Sequence, residues 1–520
     1  MTLSFSFNLV DEPWLPCVRL DGATVTLSLR DALTQAHRLQ TLTGDSPPQT
    51  AALHRLLLAI LHRVFGPDDY EEWTELWQAE AFEADRLEAY LDDWRHRFDL
   101  FDSERPFYQA ADRRVKAKST INLSHDRASG NNATLFDHHT EATGETLTPA
   151  QAARVLVTGQ AYGLAGLSGI TQKFTDGPCA GGIIFLVEGD NLKQTCLLNM
   201  IMYPPDDEDM FRHTGQDKPA WEMDDPFEPE RAFPFGYLDY LTWQNRHVLF
   251  QPEQSASGIV VRTMTMGPAL RFEPTLFDTM KHYRLDDKLG ALAASFSEDR
   301  VLWRDSAAFF TFTDSSSKKV RPPTTFRWLR ELIGPDIGYL EKHRRYRCLA
   351  LGMSKKQAKV FFFREERLPL PLNYLTDEGL VSKLAYALDH TATVAFDLVQ
   401  AARRVGMVLQ VSEAEGKKWA ELNRNAKSAI NDWVAHTGVE RHYWASLDIP
   451  FQTFMVTLAQ DGEPALKRWL ERLRETALDA FEQAAQYTGD DGRSFKAVVR
   501  GRSYLKYRLD EVLPKDKVET

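Results

Sequence analysis

The chain has 520 residues, of which 43% are hydrophobic and 26% are charged, a composition typical of folded globular proteins and not of disordered ones. Its formal net charge of -12 argues against a protein that coats DNA by overall positive charge, although a local basic patch can still recognise nucleic acid. The four cysteines form no Cys-x-x-Cys pair, so neither a zinc ribbon nor a disulfide framework is expected.

The length predicts two or three domains. No run of about 18 apolar residues is present, and the start of the chain lacks a basic segment followed by an apolar one. We therefore predict no membrane span and no export signal. Free thiols and the lack of a signal favour a cytoplasmic location.

The first predicted elements are helices, because apolar residues recur at helical spacing through residues 50–100. Residues 105–150 are polar and rich in Gly, Asn, Ser and Thr, which predicts a long loop region, and loops of that length are usually functional or disordered. TPAQAARVLVTGQAYGL then predicts a helix with Thr148 as its N-cap and Pro149 in its first turn.

Strands are predicted in the next part of the chain. GIIFLV is typical of a buried strand, GDN of a turn, and further strand-like pieces lie near 258–273 and 358–363. The prolines of REERLPLPLNYL, at 364–375, are expected to break regular structure, and they place a domain boundary there.

Beyond that boundary the pattern is helical almost throughout. Amphipathic stretches joined by short loops predict an antiparallel bundle. The predicted helices span 377–404, 417–436, 450–460 with extensions on either side, 464–487 and 493–511. The expected domains are therefore residues 1–370, mixed α/β, and 371–520, a helical bundle.

One polar loop contains a candidate metal cluster. In SGNNATLFDHH, Asp137, His138 and His139 are consecutive, and His125 and Asp126 are near in sequence. Histidine and aspartate bind transition metals, but adjacent residues in an extended loop point in different directions and rarely serve one ion. A metal-dependent nuclease is thus one hypothesis, and an arm that grips a partner is the other.

Several other patterns bear on nucleic acids. The glycines 159, 163, 166 and 169 of GQAYGLAGLSG do not follow a strand, so they do not match a dinucleotide fingerprint, and no GxxxxGK[ST] phosphate loop is present. Such glycines allow close approach of the backbone, either to a neighbouring element or to a ligand. The basic residues cluster in RRVKAK (113–118), SSKKVR (316–321), KHRRYR (342–347) and KKQAK (355–359), which modestly favours a nucleic-acid groove over solvated faces.

An ordered set of segments resembles one protein family over essentially the whole chain. The set comprises FNLVDEPWLPCVRLDG, SGNNATLFDHH, YGLAGLSG, YLTWQNRHVLF, MKHYR, VLWRD, GMSKKQAKVFFFREER and VERHYWASLDIPF. Together they are similar to the CasA family (Cse1 type), the large subunit of the type I-E CRISPR surveillance complex, Cascade. The resemblance implies an α+β fold, with a large mixed α/β N-terminal domain for DNA-motif recognition and complex docking, followed by a C-terminal four-helix bundle.

The resemblance implies binding and not catalysis. Family members lie beside the 5′ handle of the crRNA, recognise the protospacer-adjacent motif in duplex DNA from the minor groove, help to open the duplex, and present it to the Cas helicase-nuclease. The implied partners are therefore the other Cascade subunits, the crRNA handle, double-stranded target DNA and the helicase-nuclease, with no cofactor and no membrane. In such systems the protein recognises a short motif while base pairing recognises the sequence.

The family's DNA-contacting residues correspond to three places in this chain. Its glycine loop corresponds to Gly163, Leu164, Ala165 and Gly166, where some members have glycine in place of Ala165. Its minor-groove lysine corresponds to Lys281, for which an ordinary surface lysine is the alternative. Its wedge corresponds to Lys356, Gln357 and Ala358, for which a solvent-exposed turn is the alternative; a wedge that unstacks bases costs on the order of a few kcal/mol per step.

The resemblance also implies a role for SGNNATLFDHH. In the family this loop contacts the crRNA handle and neighbouring subunits, and the matching residues are Asn131, Asn132, Thr134, Phe136, Asp137 and His138. Asp137 and His138 differ from the residues of some relatives. A subunit that only serves as a scaffold and never touches DNA is a further alternative.

Overall fold

The computed structural model describes residues 4–124, 145–202, 215–273, 276–312, 320–333, 340, 344–356, 359–410 and 418–513. The strands in this part of the chain are β1 Leu15–Arg19, β2 Thr24–Leu27, β3 Leu39–Leu42, β4 Ala117–Ser119, β5 Ile184–Glu188, β6 Arg246–Ser255, β7 Gly258–Pro268, β8 Tyr283–Asp286, β9 Gly290–Ala293, β10 Val320–Arg321, β11 Arg345–Lys356 and β12 Lys359–Pro371.

Helices occur in both units and predominate after residue 377. They are α1 Leu29–Thr34, α2 Pro47–Phe65, α3 Tyr70–Gln78, α4 Ala84–Trp94, α5 Pro149–Tyr162, α6 Leu192–Asn199, α7 Tyr237–Leu241, α8 Ser306–Phe309, α9 Thr324–Ile333, α10 Glu378–Gln410, α11 Arg424–Thr437, α12 Val439–Asp461, α13 Glu463–Ala485 and α14 Gly492–Val512.

The backbone divides into two compact units. The first contains residues up to Leu302 together with Phe312–Leu368, and the second contains Trp303–Thr311 and Pro369–Thr520. The short segment Trp303–Thr311 belongs to the second unit because its tryptophan stacks on Phe451 of α12, with ring centroids 4.2 Å apart. The sequence alone did not separate this segment from the first unit.

Small antiparallel sheets form the β part of the first unit. Their strand orders are β2-β1-β3, β10-β8-β9, β12-β11-β5 and β4-β7-β6. The long β6–β7 hairpin runs from Arg246 opposite Pro268 to Ser255 opposite Gly258. Strand β11 pairs antiparallel with β5. The start of β6, the end of β11 and residues 163–166 all lie in the first unit.

Helix α2 lies at the centre of the first unit. It packs against α5, α6, α7 and β11, and nearly all its side chains are buried, as expected of a helix that is covered on every side. Buried polar residues on α2 include Arg55, which pairs with Asp278 at 3.0 Å. The centre of this unit therefore contains a buried charge pair.

Several predicted elements are confirmed. Thr148 caps α5 through a capping box with Gln151, and Pro149 occupies the first turn. GIIFLV forms the buried strand β5, and Asn191 of the GDN turn caps α6. The helices expected after residue 376 are present as α10 to α14.

The prediction that prolines break regular structure throughout 364–375 is wrong. Strand β12 continues to Pro371 and contains Pro369. The physical reason is the strand order, because β12 lies at an edge of its sheet, and a residue without an N–H group is tolerated on an edge strand. Regular structure changes only after Pro371, where a 3₁₀ turn precedes α10.

The second unit is a helical bundle built around α10. This helix packs against α11, α12, α13 and α14. Thr391, in the middle of α10, is fully buried; its carbonyl accepts a hydrogen bond from the Tyr443 hydroxyl at 3.1 Å, and its hydroxyl accepts one from Trp469 Nε1 at 3.2 Å. The fold class is therefore α+β with a C-terminal helical bundle. No helix within the described ranges is long and apolar enough to cross a membrane.

Close packing in the bundle makes Gly501 of α14 sensitive to substitution. A Cβ atom there would lie 2.6 Å from Val405 Cγ2 and 2.8 Å from Phe481 Cζ. We expect Gly501→Ala to lower the free energy of unfolding of the bundle by about 1–3 kcal/mol, the usual cost of overpacking. Urea denaturation monitored by hydrogen exchange of the α14 amides measures this free energy.

Gly492 on the same helix provides the matched control. In the part of the chain that the structure describes, a Cβ atom there meets no heavy atom within 4 Å, so Gly492→Ala should leave stability unchanged or raise it slightly. Equal effects of the two substitutions would show that α14 is not packed as described.

Candidate nucleic-acid interface

Residues 163–166 leave the C-terminus of α5 as an irregular segment, called here the glycine loop. Its first residue, Gly163, is buried, and a Cβ atom there would lie 2.8 Å from Arg246 Cζ and 2.8 Å from the Gly159 carbonyl oxygen. The Gly163 carbonyl accepts a hydrogen bond from Gly177 N–H at 2.6 Å. Packing within the protein therefore accounts for glycine at position 163.

Gly166, at the other end of the glycine loop, has a different environment. A Cβ atom there would meet no heavy atom of the described residues within 4 Å. Its backbone exchanges two hydrogen bonds with Phe174, at 3.2 and 3.0 Å, which close residues 166–174 into a loop. The next side chain, Leu167, is 86% exposed. No packing contact in the described structure requires glycine at 166, so this position has open space in front of a fixed backbone.

Arg246, the first residue of β6, holds the loop from inside. Its guanidinium donates to the Leu164 carbonyl at 2.7 Å and to the Thr175 carbonyl at 3.0 Å, and it lies over the Phe174 ring. Burial lowers the pKa of Arg246 to about 9, so the side chain is protonated at neutral pH. One buried cation thus joins the glycine loop to the segment that returns beside it.

Asp176 contacts two separate segments. Its Oδ1 accepts a hydrogen bond from Ala165 N–H at 2.8 Å, and its Oδ2 pairs with Lys355 Nζ at 2.6 Å. Lys355 lies near the end of β11, immediately before the segment matched to the wedge. A single carboxylate therefore contacts both the glycine loop and the β11–β12 hairpin.

Lys281 is not on the surface. The residue is 5% exposed, and its ammonium group donates to the carbonyls of Pro178 and Gly181 at 2.7 and 2.6 Å. Burial lowers the pKa of Lys281, and the nearby Asp278 carboxylate opposes that shift. The expected alternative of an ordinary surface lysine is wrong, and direct contact with DNA would require the ammonium group to leave these two carbonyls.

A buried ion pair lies behind Lys281. The Asp278 carboxylate accepts hydrogen bonds from Arg55, from the Tyr240 hydroxyl at 2.5 Å and from Met280 N–H at 2.8 Å. Burial opposes ionisation of Asp278, but Arg55 and Lys281 together lower its pKa below the ordinary value. The charged form of this cluster is therefore favoured, and it fixes the backbone from which Lys281 extends.

The β11–β12 hairpin contains the segment matched to the wedge. Lys356 is exposed at the end of β11, whereas Gln357 and Ala358 lie outside the described residues. On β12, Lys359 lies over the ring of Phe361, which is 53% exposed. The described part of the hairpin thus presents lysines and an aromatic ring to solvent.

The loop residues predicted to contact crRNA or a metal also lie outside the described residues. These are His125, Asn131, Asn132, Thr134, Phe136, Asp137, His138 and His139. In the part of the chain that is described, no group of three or more His, Cys, Asp or Glu side chains is arranged to hold a metal ion.

The basic runs are partly neutralised by neighbouring acids. Arg114 pairs with Asp112, Arg344 with Asp190, and Lys355 with Asp176. Counting lysines and arginines along the sequence therefore overstates the positive charge that these runs offer to nucleic acid.

Sequence reasoning did not single out Asp176 or Arg246. Arg246 lies in the segment YLTWQNRHVLF, and Asp176-Gly177-Pro178 has the composition of a turn. Their roles depend on contacts with residues 11 and 82 positions away, at Ala165 and Leu164, which no local pattern reveals.

The fold defines a protein of the α+β class with two units, the second a helical bundle, and comparison with known proteins identifies its family. The model of the family described as CRISPR-associated protein Cse1 matches residues 8–480, so the chain belongs to the Cse1 family. A CRISPR-associated protein CasA/Cse1 from Thermus thermophilus is 33% identical over 97% of this chain and 98% of its own length.

Solved structures show the same fold. The crystal structure of Thermus thermophilus CasA has a TM-score of 0.79 and 30% identity, covering 98% of this chain and 100% of that one. A chain of a CRISPR RNA-guided surveillance complex has a TM-score of 0.74 and 22% identity over 96% of this chain and 99% of its own, and at that identity the likeness shows the fold alone.

The contacts of Arg246 lead to a testable prediction about loop rigidity. Arg246 donates from two separate nitrogens, Nη2 to the Leu164 carbonyl and Nη1 to the Thr175 carbonyl. A lysine side chain ends in a single nitrogen and lacks this planar fork. We expect Arg246→Lys to speed hydrogen exchange of amides in residues 163–176 on the order of fivefold, since a lost hydrogen bond costs about 1 kcal/mol. Hydrogen exchange with mass spectrometry measures this directly.

Arg262→Lys on β7 is the matched control, because Arg262 is exposed and pairs with Glu253 away from the loop. Unchanged exchange in residues 163–176 of the Arg246 variant would contradict the anchoring role.

Proposed function

We propose that this chain is the non-catalytic large subunit of type I-E Cascade and that it recognises the protospacer-adjacent motif in double-stranded target DNA. Membership of the Cse1 family supports the assignment to the complex, and a fold shared with a chain of a CRISPR RNA-guided surveillance complex agrees with it. In this role the protein recognises the motif and duplex shape, and crRNA pairing selects the sequence.

The observation that supports motif recognition most directly is the open space at Gly166. A backbone that is fixed by Phe174 and has no side chain can lie against the floor of a minor groove, about 6 Å wide. Leu164, Ala165 and the buried Gly163 give the loop its fixed shape behind this contact. Because the minor groove distinguishes mainly A·T from G·C pairs, recognition of the motif is expected to be relaxed.

The β11–β12 hairpin supplies the wedge in this proposal. Lys356, Gln357 and Ala358 enter the base stack beside the motif, and the exposed Phe361 and Lys359 contact the deformed duplex. Unstacking costs on the order of a few kcal/mol per step, and new contacts offset it. Opening the duplex there starts R-loop formation and presents the target to the Cas helicase-nuclease.

The loop with Asn131, Asn132, Thr134, Phe136, Asp137 and His138 is proposed to contact the crRNA 5′ handle and neighbouring Cascade subunits. Phe136 supplies the aromatic contact in this proposal. A nuclease that uses Asp137, His138 and His139 is the second hypothesis, since these residue types bind metals. Metal content of the purified chain separates the two: a stoichiometric ion on these residues favours the nuclease.

Lys281 has a supporting role in the proposed mechanism. Its ammonium group holds the Pro178 and Gly181 carbonyls, and this turn follows directly from Asp176, which holds Ala165. Lys281 therefore shapes the DNA-contacting loop from inside the protein.

The open space at Gly166 provides the test of motif recognition. Gly166→Ala adds a methyl group that meets no heavy atom of the described residues within 4 Å, so folding should be unaffected while close approach to the groove is blocked. We expect Cascade with this variant to bind matched-motif duplex on the order of tenfold more weakly, similar to one mismatched base pair at about 1–3 kcal/mol. Binding is measured at fixed salt, because phosphate contacts make affinity salt-dependent.

Gly215→Ala is the control, since Gly215 is exposed and, among the described residues, a Cβ atom there also meets no heavy atom within 4 Å. Wild-type affinity of the Gly166 variant for matched DNA would refute groove contact at this position.

Lys281→Met tests the supporting role. We expect hydrogen exchange of amides in residues 176–182 to increase and matched-motif binding to weaken together, because the turn loses two hydrogen bonds to a charged donor. Lys288→Met, at an exposed lysine of the same unit, serves as control. Weaker binding with unchanged exchange would instead indicate that Lys281 contacts DNA directly.

A further inference from the structure

Asp176 connects two segments that are far apart in sequence. Its Oδ1 fixes the backbone of the glycine loop through Ala165, and its Oδ2 pairs with Lys355 on β11. The two oxygens are used for different segments, so the carboxylate cannot shift toward one of them without weakening its contact with the other. The same side chain therefore contacts the glycine loop and the end of β11 at once.

The surroundings of Asp176 favour a role in positioning. The negative charge of Asp176 raises the pKa of both Arg246 and Lys281, against the larger effect of burial. Arg246 donates to the Thr175 carbonyl before Asp176, and Lys281 donates to the Pro178 carbonyl after it. The carboxylate side chain is 42% exposed and the Lys355 side chain 16%. A half-exposed acid beside a proposed DNA surface repels phosphates, so affinity for DNA gives no reason for it, whereas positioning does.

We infer that the Asp176 carboxylate couples the glycine loop to the β11–β12 hairpin, so that docking of the loop on the correct motif sets the position from which the hairpin enters the duplex. Asp176 and Lys355 are positioning residues in this mechanism, because they act through Ala165 and through the end of β11. The inference rests on the proposed function, and it adds to it a source of discrimination between correct and incorrect motifs.

The coupling has a signature that differs from ordinary DNA contacts. Asp176→Asn keeps a carbonyl oxygen for Ala165 N–H and loses the ion pair, and it also removes a negative charge near the DNA. Binding to scrambled-motif DNA should then be unchanged or tighter, and the difference in affinity between matched and scrambled DNA should decrease. Lys355→Gln removes a positive charge and should weaken binding to both DNAs. It should also decrease the difference in affinity between matched and scrambled DNA.

The experiment measures Kd for matched and scrambled duplexes with complete Cascade at fixed salt and divides the Kd for scrambled DNA by the Kd for matched DNA, so that a larger ratio means stronger discrimination. We expect Asp176→Asn and Lys355→Gln each to reduce this ratio at least about fivefold, the lower end of couplings between linked sites. The double variant should lose no more than either single variant, because residues that act as one unit are non-additive. Lys355→Arg, which keeps the positive charge, should retain the wild-type ratio.

Two controls separate coupling from damage and from charge. Glu253→Gln neutralises an exposed ion pair with Arg262 in the same unit and changes net charge by the same amount as Asp176→Asn, so its ratio should match wild type. Hydrogen exchange of α2 and β5 amides should be equal in all variants.

Each outcome decides a different claim. If wild-type Cascade discriminates motifs but the Asp176 and Lys355 variants keep the wild-type ratio, or lose it additively, the coupling is overturned and motif recognition stands. If wild-type Cascade itself binds matched and scrambled DNA equally, the proposed function fails, and the coupling fails with it.

Discussion

The buried ion pair between Arg55 and Asp278 is the interaction on which the candidate site depends. Burying two charges costs several kcal/mol, which their attraction offsets only when further hydrogen bonds surround the pair. Here the Tyr240 hydroxyl and Met280 N–H donate to the carboxylate, whereas Arg55 Nη2 has no hydrogen-bond partner among the described residues. The pair joins the central helix α2 to the backbone just before Lys281. Through Lys281 it fixes the turn at residues 178–181, and that turn follows directly from Asp176.

The residues that hold the glycine loop are more exposed the farther they lie from this pair. Arg246 and Asp176 hold the glycine loop from inside, and Gly166 presents backbone with open space in front of it. A minor groove admits such a backbone, and a rigid loop binds without a large ordering cost. The chain belongs to the Cse1 family, and the proposed motif recognition agrees with RNA-guided systems, in which a protein element recognises a short motif and base pairing with RNA recognises the sequence.

Local patterns in the sequence predicted much of the fold. Helical periodicity, the Thr148 cap and the apolar run of β5 depend on neighbouring residues, and the structure confirms them. The strand that continues through Pro369 was not predictable, because its tolerance of proline depends on lying at a sheet edge. Among site residues, Lys281 resembles a surface lysine in sequence, and only the distant carbonyls of Pro178 and Gly181 explain its burial.

The proposed function is that this chain gives Cascade its preference for a motif. The most direct measurement is target-duplex binding by Cascade with and without the chain, at one salt concentration, on matched-motif and scrambled-motif DNA. If the chain recognises the motif, adding it raises affinity for the matched duplex much more than for the scrambled one. Equal binding with and without the chain, on both duplexes, would contradict it and favour a subunit that acts only as a scaffold.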